Sequence, residues 1–288
     1  MRLFIQEMME VSDMEKEDMR ATFLPMIQSN CIEIAKEIDK ICRRNGIHYS
    51  LCGGSVIGAH LYKGFIPWDD DIDLMMSRKD YDKFVSVFPK QAQRRYKLLN
   101  YKYSKTATVP TLFSRVEDMN TEVTEEIAGH VRKGHVFVDI TVMDNVPSKL
   151  SHKVACIYGS YVYTKLYRHN GMTPGTGWKK ALFNIMTGKV NDEGSLKTYE
   201  KYEDFCRKNA NKNTEYCAEL MSAAYSGYLY KRKFFDNYID VLFEDIKLMV
   251  IHDYMDYLHM RYGDREFTKE VPKDQRFNSH IIDFKMNE

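Results

Sequence analysis

The chain lacks an excess of charge of either sign: 42 Lys and Arg stand against 41 Asp and Glu, a formal net charge of +1 over 288 residues. No nucleic-acid partner is expected on that balance, and any electrostatic specialisation has to be local. It also lacks paired cysteines. The six present (Cys31, Cys42, Cys52, Cys156, Cys206 and Cys217) form no C-x-x-C and have no histidine at ligand spacing. They read as free thiols in a reducing compartment rather than as a disulfide framework or a zinc site. Long apolar runs are missing too. Glu7, Glu10 and Asp13 interrupt the N-terminal stretch before it reaches signal-peptide length, and no uncharged run is long enough to cross a bilayer. The expected location is the cytoplasm, extending to the inner face of the cell membrane. What is left, 44% hydrophobic and 29% charged, is an ordinary globular composition with enough chain for a sizeable core.

Downstream of Pro25, Ile27, Cys31, Ile34, Ile38, Ile41 and Cys42 recur at helical spacing, with Asn45-Gly46 as a left-handed stop. "IHYSLC" reads as a short strand, Gly53-Gly54-Ser55 as a tight turn, and "SVIGAHLY" as a helix opening on Ser55. Between Asp69 and Met76 the chain alternates, with Asp70, Ile72, Leu74 and Met76 on one face and Asp69, Asp71, Asp73 and Met75 on the other. Ser77 with Asp80 predicts a capped helix whose buried stripe is Tyr81, Phe84, Val85 and Phe88 and which Pro89 stops. Further strands are predicted at "YKLLNYKY", "TLFSRVED" and "HVFVDITVMD". The last holds a lone Asp139 in an apolar run, followed by Asp144 as a turn former. After Pro147 the texture becomes polar and tyrosine-rich, broken at "HNGMTPGTG" and "TGKVNDEGS". The expected organisation is therefore α+β: residues 1–147 as a small mixed sheet with flanking helices, and residues 148–288 as a mainly helical region.

Four aspartates in five positions, Asp69, Asp70, Asp71 and Asp73, repel one another unless a cation intervenes. Two carboxylates at i and i+2 on a strand share one face, about 7 Å apart at the backbone, and their side chains can converge on one hard cation. Oxygen-only ligands select Mg2+ or Mn2+ over zinc. With Asp139 as third carboxylate from a neighbouring strand, the set would suit in-line displacement at phosphorus. Gly53, Gly54 and Ser55 before a helix start would let backbone N–H groups approach a phosphate.

The stretch "GGSVIGAHLYKGFIPWDDDIDLMMSRKDYDKF" resembles the signature of the LicD family, whose members look like G-T-L-L-G-A-x-R-x-K-G-F-I-P-W-D-D-D-I-D. "VFVDITVMDNVP" is similar to the family's later strand, and "YMDYLHMRYGD" to its C-terminal helix. The resemblance implies a nucleotidyltransferase-like fold in an enzyme that moves phosphocholine from CDP-choline to a hydroxyl of a cell-surface glycan or teichoic acid precursor, releasing CMP. The related fukutin proteins use CDP-ribitol. Carried onto this chain, it makes Asp71 and Asp73 metal ligands and Asp139 a further ligand or the base for the acceptor hydroxyl. Gly54 and Ser55 would cradle the donor diphosphate, with Lys63 and Arg115 neutralising it. Leu61 occupies the position of the family's arginine, so one positive charge near the donor is missing, and Arg78, Arg115 and Lys133 are candidates to replace it.

Simpler roles stand beside these. Asp69 is an accessory ligand or an outer-shell group, whereas Asp70, on the other face, is expected to cap the turn or pair with Lys63 or Arg78. Trp68 is most simply a packing residue, with stacking on a donor base or a choline ammonium as its functional use. The lysines of "KKALFNIMTGK" could lie near anionic lipid beside a lipid-linked glycan acceptor, although a solvated helix face is the simpler reading. Two other functions use the same residues: transfer of NMP from an NTP to a small hydroxylated molecule, and a non-catalytic scaffold that binds a nucleotide or glycan.

Overall fold

The computed structural model describes residues 2–102, 112–127, 130–169, 191–221, 227–264, 266–269, 271 and 281–287. The first helix, α1 (Arg2–Arg44), is longer than its apolar stripe, and Pro25 lies inside it. Proline forfeits one helical hydrogen bond, and the buried stripe Ile27, Cys31, Ile34, Ile38 and Ile41 begins just past it. Gly46, at φ +59°, ends the run in the left-handed region as expected.

Strand β1 (Ser50–Leu51) leads into α2 (Gly53–Leu61), so the glycines are the first turn of the helix rather than a separate turn before it. Strand β2 (Asp73–Ser77) is shorter than the alternation predicts: Asp69 to Ile72 precede it with no regular secondary structure. Helix α3 (Arg78–Gln91) is capped by Ser77, whose Oγ accepts the Asp80 N–H; it continues two residues past Pro89. Tyr81, Phe84 and Phe88 are buried along it. Strands β3 (Tyr96–Leu99), β4 (Ser114–Ile127) and β5 (His130–Val146) follow, then α4 (Lys149–His169) and α5 (Asp192–Arg207).

Among the described residues, the region expected to be mainly helical also carries strands β6 (Tyr216–Ala218), β7 (Tyr230–Lys231), β8 (Tyr238–Phe243), β9 (Ile246–Ile251) and β10 (Ile281–Met286), with helix α6 (Tyr254–Tyr262) between β9 and β10. Residues 170–190, which hold the expected basic helix face and most of the expected breaks, lie outside the described residues, but the end of "TGKVNDEGS" is no break: Asn191 caps α5 and Asp192 to Ser195 form its first turn.

The main sheet runs β1-β2-β5-β4-β10, with β3 beside the first half of β4 and β6-β7 extending from the end of β5. Its parallel pair is β2 with β5; the other neighbours are antiparallel. Strands from both halves of the sequence thus share one sheet. One apolar core takes residues from α1, β2, α3, β4 and β5 together with Phe243, Val250, Leu258 and Phe284, while a second lies between α4 and α5. The β8–β9 hairpin is tied to the sheet edge, where Ser50 Oγ accepts the Ile251 N–H at 3.0 Å.

Asp144, expected as a turn former, is fully buried instead. Arg78 Nε and Nη2 donate to its two carboxylate oxygens at 2.7 and 2.9 Å, joining the start of α3 to the end of β5. A bidentate pair of this kind holds only while both charges are present, because either one left alone in the interior is strongly unfavourable.

Candidate active site

Register places the chemistry. In the parallel β2–β5 pair Asp73 lies opposite Asp139, and in the antiparallel β4–β5 pair Asp139 lies opposite Arg115. Three charged side chains therefore cross three strands in one row on one face. Arg115 Nε and Nη2 donate to the two Asp139 oxygens at 3.0 and 3.2 Å, and its guanidinium sits 3.7 Å above the Phe137 ring. This fixes both the Asp139 carboxylate and the Arg115 that the sequence offered as a donor contact.

Asp69, Asp70 and Asp71 come together just upstream. Each offers a carboxylate oxygen within 4.8 Å of the others. Asp70 therefore does not face away from its neighbours, as strict alternation required, because the backbone is not yet a strand there. The loop is held from outside: α1 supplies Gln28, whose Nε2 donates to the Asp69 carbonyl at 2.8 Å, and Cys31, whose thiol reaches the carbonyls of Asp70 and Phe137.

The glycines of α2 close the site from the other side. Gly53, at φ +55°, donates its N–H to Tyr257 Oη at 3.1 Å. A Cβ there would lie 3.5 Å from Asp73 Oδ2 and 3.7 Å from Tyr262 Oη; one on Gly54 would lie 3.0 Å from Asp69 Oδ2. Gly54 thus lets the helix start approach the carboxylates, whereas at Gly53 the contacts would be ordinary and it is the left-handed backbone that favours glycine. Ser55 is buried, and its Oγ accepts the Asp73 N–H at 2.9 Å, which pins the first residue of β2 to α2.

Burial and mutual repulsion raise these carboxylates. Desolvation, then the charge of Asp70, pushes Asp69 up to about 7. Desolvation, then Asp139 and Asp69, pushes Asp73 up to about 8, with Arg261 acting in the opposite direction. Asp71 moves up as well, through burial and then the charges of Asp73, Asp69, Asp70 and Asp139. Five aspartates therefore act on one another as a single acidic centre. An all-oxygen donor set of this charge fits a hard divalent cation such as Mg2+ or Mn2+, and suits zinc poorly.

The remaining candidates lie at its margins. Lys63 follows the far end of α2, where its Nζ donates to the His60 carbonyl at 3.2 Å. The rise of the nine-residue helix separates the two ends by about 13 Å. Trp68 meets Tyr62 edge-on at a centroid distance of 6.4 Å. Of the cations considered in place of the arginine absent at Leu61, Arg78 is buried against Asp144, Arg115 is paired with Asp139, and Lys133 pairs with Glu122 on an exposed part of β5.

Sequence reasoning gave no role to Arg261, yet it is the cation that moderates Asp73. It extends from α6, donating to Glu219 Oε1 at 2.8 Å and Tyr230 Oη at 3.2 Å. The signal was available in "YMDYLHMRYGD", which marked this helix as part of a motif. Glu219 and Gln28 had no such marker.

Residues 46–154 match the family described as LicD/FKTN/FKRP, nucleotidyltransferase domain. The lipopolysaccharide cholinephosphotransferase LicD of Haemophilus influenzae is 27% identical over 263 residues, covering 87% of this chain and 93% of that protein. An uncharacterized protein of Rickettsia typhi is 29% identical over 70 residues, 24% of this chain and 23% of its own length. The matched segment contains the glycine turn, the aspartate cluster and Asp139, so the likeness to the LicD family falls on the part of the chain that builds the site.

Proposed function

We propose that the protein is a transferase that moves a phospho-alcohol, phosphocholine in the first instance, from a CDP-linked donor to a hydroxyl of a cell-surface glycan or teichoic acid precursor, releasing CMP with Mg2+ or Mn2+ as cofactor. The observation that carries this reading is the acidic centre around Asp73: Asp69, Asp71 and Asp139 all bear on it, and the fold holds them together against their repulsion. The name of the Haemophilus influenzae relative favours a lipopolysaccharide-type acceptor. A cytoplasmic site of action is part of the proposal.

Asp71, Asp73 and Asp139 would hold the cation, with Asp69 as an accessory ligand. When bound, the ion would supply positive charge to the donor phosphates. The chain's own groups do the rest. The acceptor hydroxyl gives up its proton as its oxygen bonds to the phosphorus that carries choline, and the bond from that phosphorus to the bridging oxygen of CMP breaks. Asp139 is placed to take the proton if it is not itself a ligand, and Arg115 keeps its carboxylate from turning. Gly53 and Gly54 would present backbone rather than side chains to the diphosphate at the helix start, and Ser55 fixes Asp73. Lys63 and Trp68 lie at the rim on the donor side in this reading.

The test is product analysis. CDP-choline, Mg2+ and a glycan acceptor should give CMP and a choline-bearing product, with loss of turnover in EDTA and in Asp71→Asn or Asp73→Asn. Pyrophosphate from an NTP, with no CMP from CDP-choline, would overturn the reading in favour of nucleotidyl transfer. Nucleotide binding without turnover of either donor would leave a scaffold.

A further inference from the structure

Helix α4 has two apolar faces, and among the described residues the fold buries one. Ala155, Val162 and Leu166 are buried against Tyr199, Tyr202 and Cys206 of α5. On the outer side Leu150, Val154, Ile157 and Tyr161 are 72, 50, 72 and 44% exposed. Their spacings of four, three and four residues keep them within an arc of about 60° at 100° per residue. Four large side chains in one exposed row are not the scattered apolar residues of an ordinary surface.

The charge around this row has one sign. Lys153 and Lys165 lie about 60° to either side of it, and Lys149 opens the helix. Between Lys149 and His169 there is no Asp or Glu. Lys165 Nζ reaches Tyr161 Oη at 3.5 Å, so the ammonium stands at the edge of the stripe. The neighbouring helix is built differently. The exposed side of α5 mixes Asp192, Glu193 and Asp204 with Lys197 and Lys201, and Lys197 pairs with Glu193 at 2.6 Å, as a solvated face does.

We propose that the outer face of α4 seats the protein on an anionic phospholipid surface, Leu150, Val154, Ile157 and Tyr161 entering the headgroup boundary and the flanking lysines meeting lipid phosphates. Apolar residues flanked by lysine on a helix lying in the interface are what such binding requires. A second copy of this chain is the poorer occupant, because a two-fold axis on the stripe would bring lysines against lysines with no acidic partner on either helix. The inference does not depend on the transfer reaction, although a membrane-bound acceptor would benefit from it.

The test uses the full chain without substrates and phosphatidylcholine vesicles prepared with or without phosphatidylglycerol. Co-sedimentation should require phosphatidylglycerol and weaken as salt rises. Ile157→Glu should lower the partition coefficient about tenfold or more, and Lys153→Gln about fivefold. Both positions are exposed, so the melting temperatures should match the parent. Absence of phosphatidylglycerol-dependent binding, or an Ile157→Glu variant that binds like the parent, would overturn the proposal. So would a concentration-dependent dimer in sedimentation velocity that Ile157→Glu abolishes, which would assign the face to a second copy. CMP release with a soluble acceptor should be the same in parent and Ile157→Glu, so failure here is distinct from failure of the proposed reaction.

Discussion

Replacing Asp73 by Asn should stabilise the metal-free protein. A carboxyl raised from 3.8 to about 8 is charged above that pH only at the expense of folding. At about 1.4 kcal/mol per pH unit, the rise sets an upper limit of about 6 kcal/mol on that penalty. Asn removes the charge and keeps the shape, and it also relieves the repulsion that Asp71 receives from Asp73. Part of the limit is already met by Arg261, which acts on Asp73 with the opposite sign. We expect a gain of about 2 kcal/mol or more at pH 8, which for a chain of this size is a rise in melting temperature of about 4 °C or more.

The assay is thermal unfolding of parent and Asp73→Asn in EDTA at pH 8, repeated with excess Mg2+. In EDTA the variant should melt higher. With Mg2+ the order should reverse, because a cation that binds the native state raises the melting temperature of the parent by mass action and has lost a ligand in the variant. A variant that melts below the parent in EDTA would refute the claim that this carboxylate is held against its preference. Equal Mg2+ responses in the two proteins would refute Asp73 as a ligand.

The same groups set a pH dependence. Asp69 and Asp73 titrate higher in the fold, near 7 and 8, than the ordinary 3.8. The native state therefore binds more protons than the unfolded chain between about pH 4 and 8, so metal-free stability should fall as pH rises through that window. The Mg2+-induced rise in melting temperature should correspondingly be larger at pH 8 than at pH 5.5 in matched scans. Arg78→Met should cost about 3–5 kcal/mol by leaving Asp144 charged and buried without its partner. Arg78→Met with Asp144→Leu should recover part of that loss in urea unfolding; no recovery would refute the ion-pair account. Gly58→Ala should destabilise by about 1–3 kcal/mol, since its Cβ would meet the Gly64 carbonyl oxygen at 2.4 Å and backbone cannot swing aside as a side chain can. A Gly58→Ala protein as stable as the parent would show that the 62–66 connection yields freely.

Period made part of this protein legible. The stripe of α1 after Pro25, the Ser77 cap of α3 and the apolar face of β5 each follow from spacing within one element, and the structure reproduces them. Asp139 stood out for the same reason, as a charge interrupting an apolar strand, and it does lie opposite Asp73. Elements that depend on distant partners were harder to read. Strands β6 and β10 join the sheet through pairing with β5 and β4, and no local pattern in a polar, tyrosine-rich stretch announces which edge it will complete.

The aspartate cluster shows where the boundary falls. Alternation sorts Asp69, Asp71 and Asp73 from Asp70 only if the chain is already a strand at Asp69, and a strand requires a ladder of partners. The β2–β5 register begins at Asp73, with the Ile72 carbonyl accepting the Asp139 N–H at 3.1 Å, so Asp69 to Asp71 lie ahead of the ladder that would enforce the alternation. Their shape is set instead by Gln28 and Cys31 of α1, about forty residues earlier by sequence, and by the close approach of Gly54 to Asp69. Asp70 can then join the acidic group, which pattern alone forbade. The composition of the site was therefore readable because charge crowding is a local property, whereas its geometry was not, because the contacts that shape it come from a helix and a glycine that share no periodicity with the aspartates. Arg261 marks the same limit from the other end of the chain: it moderates Asp73 across 188 residues of sequence, a relation that only the packing of α6 against α2 creates.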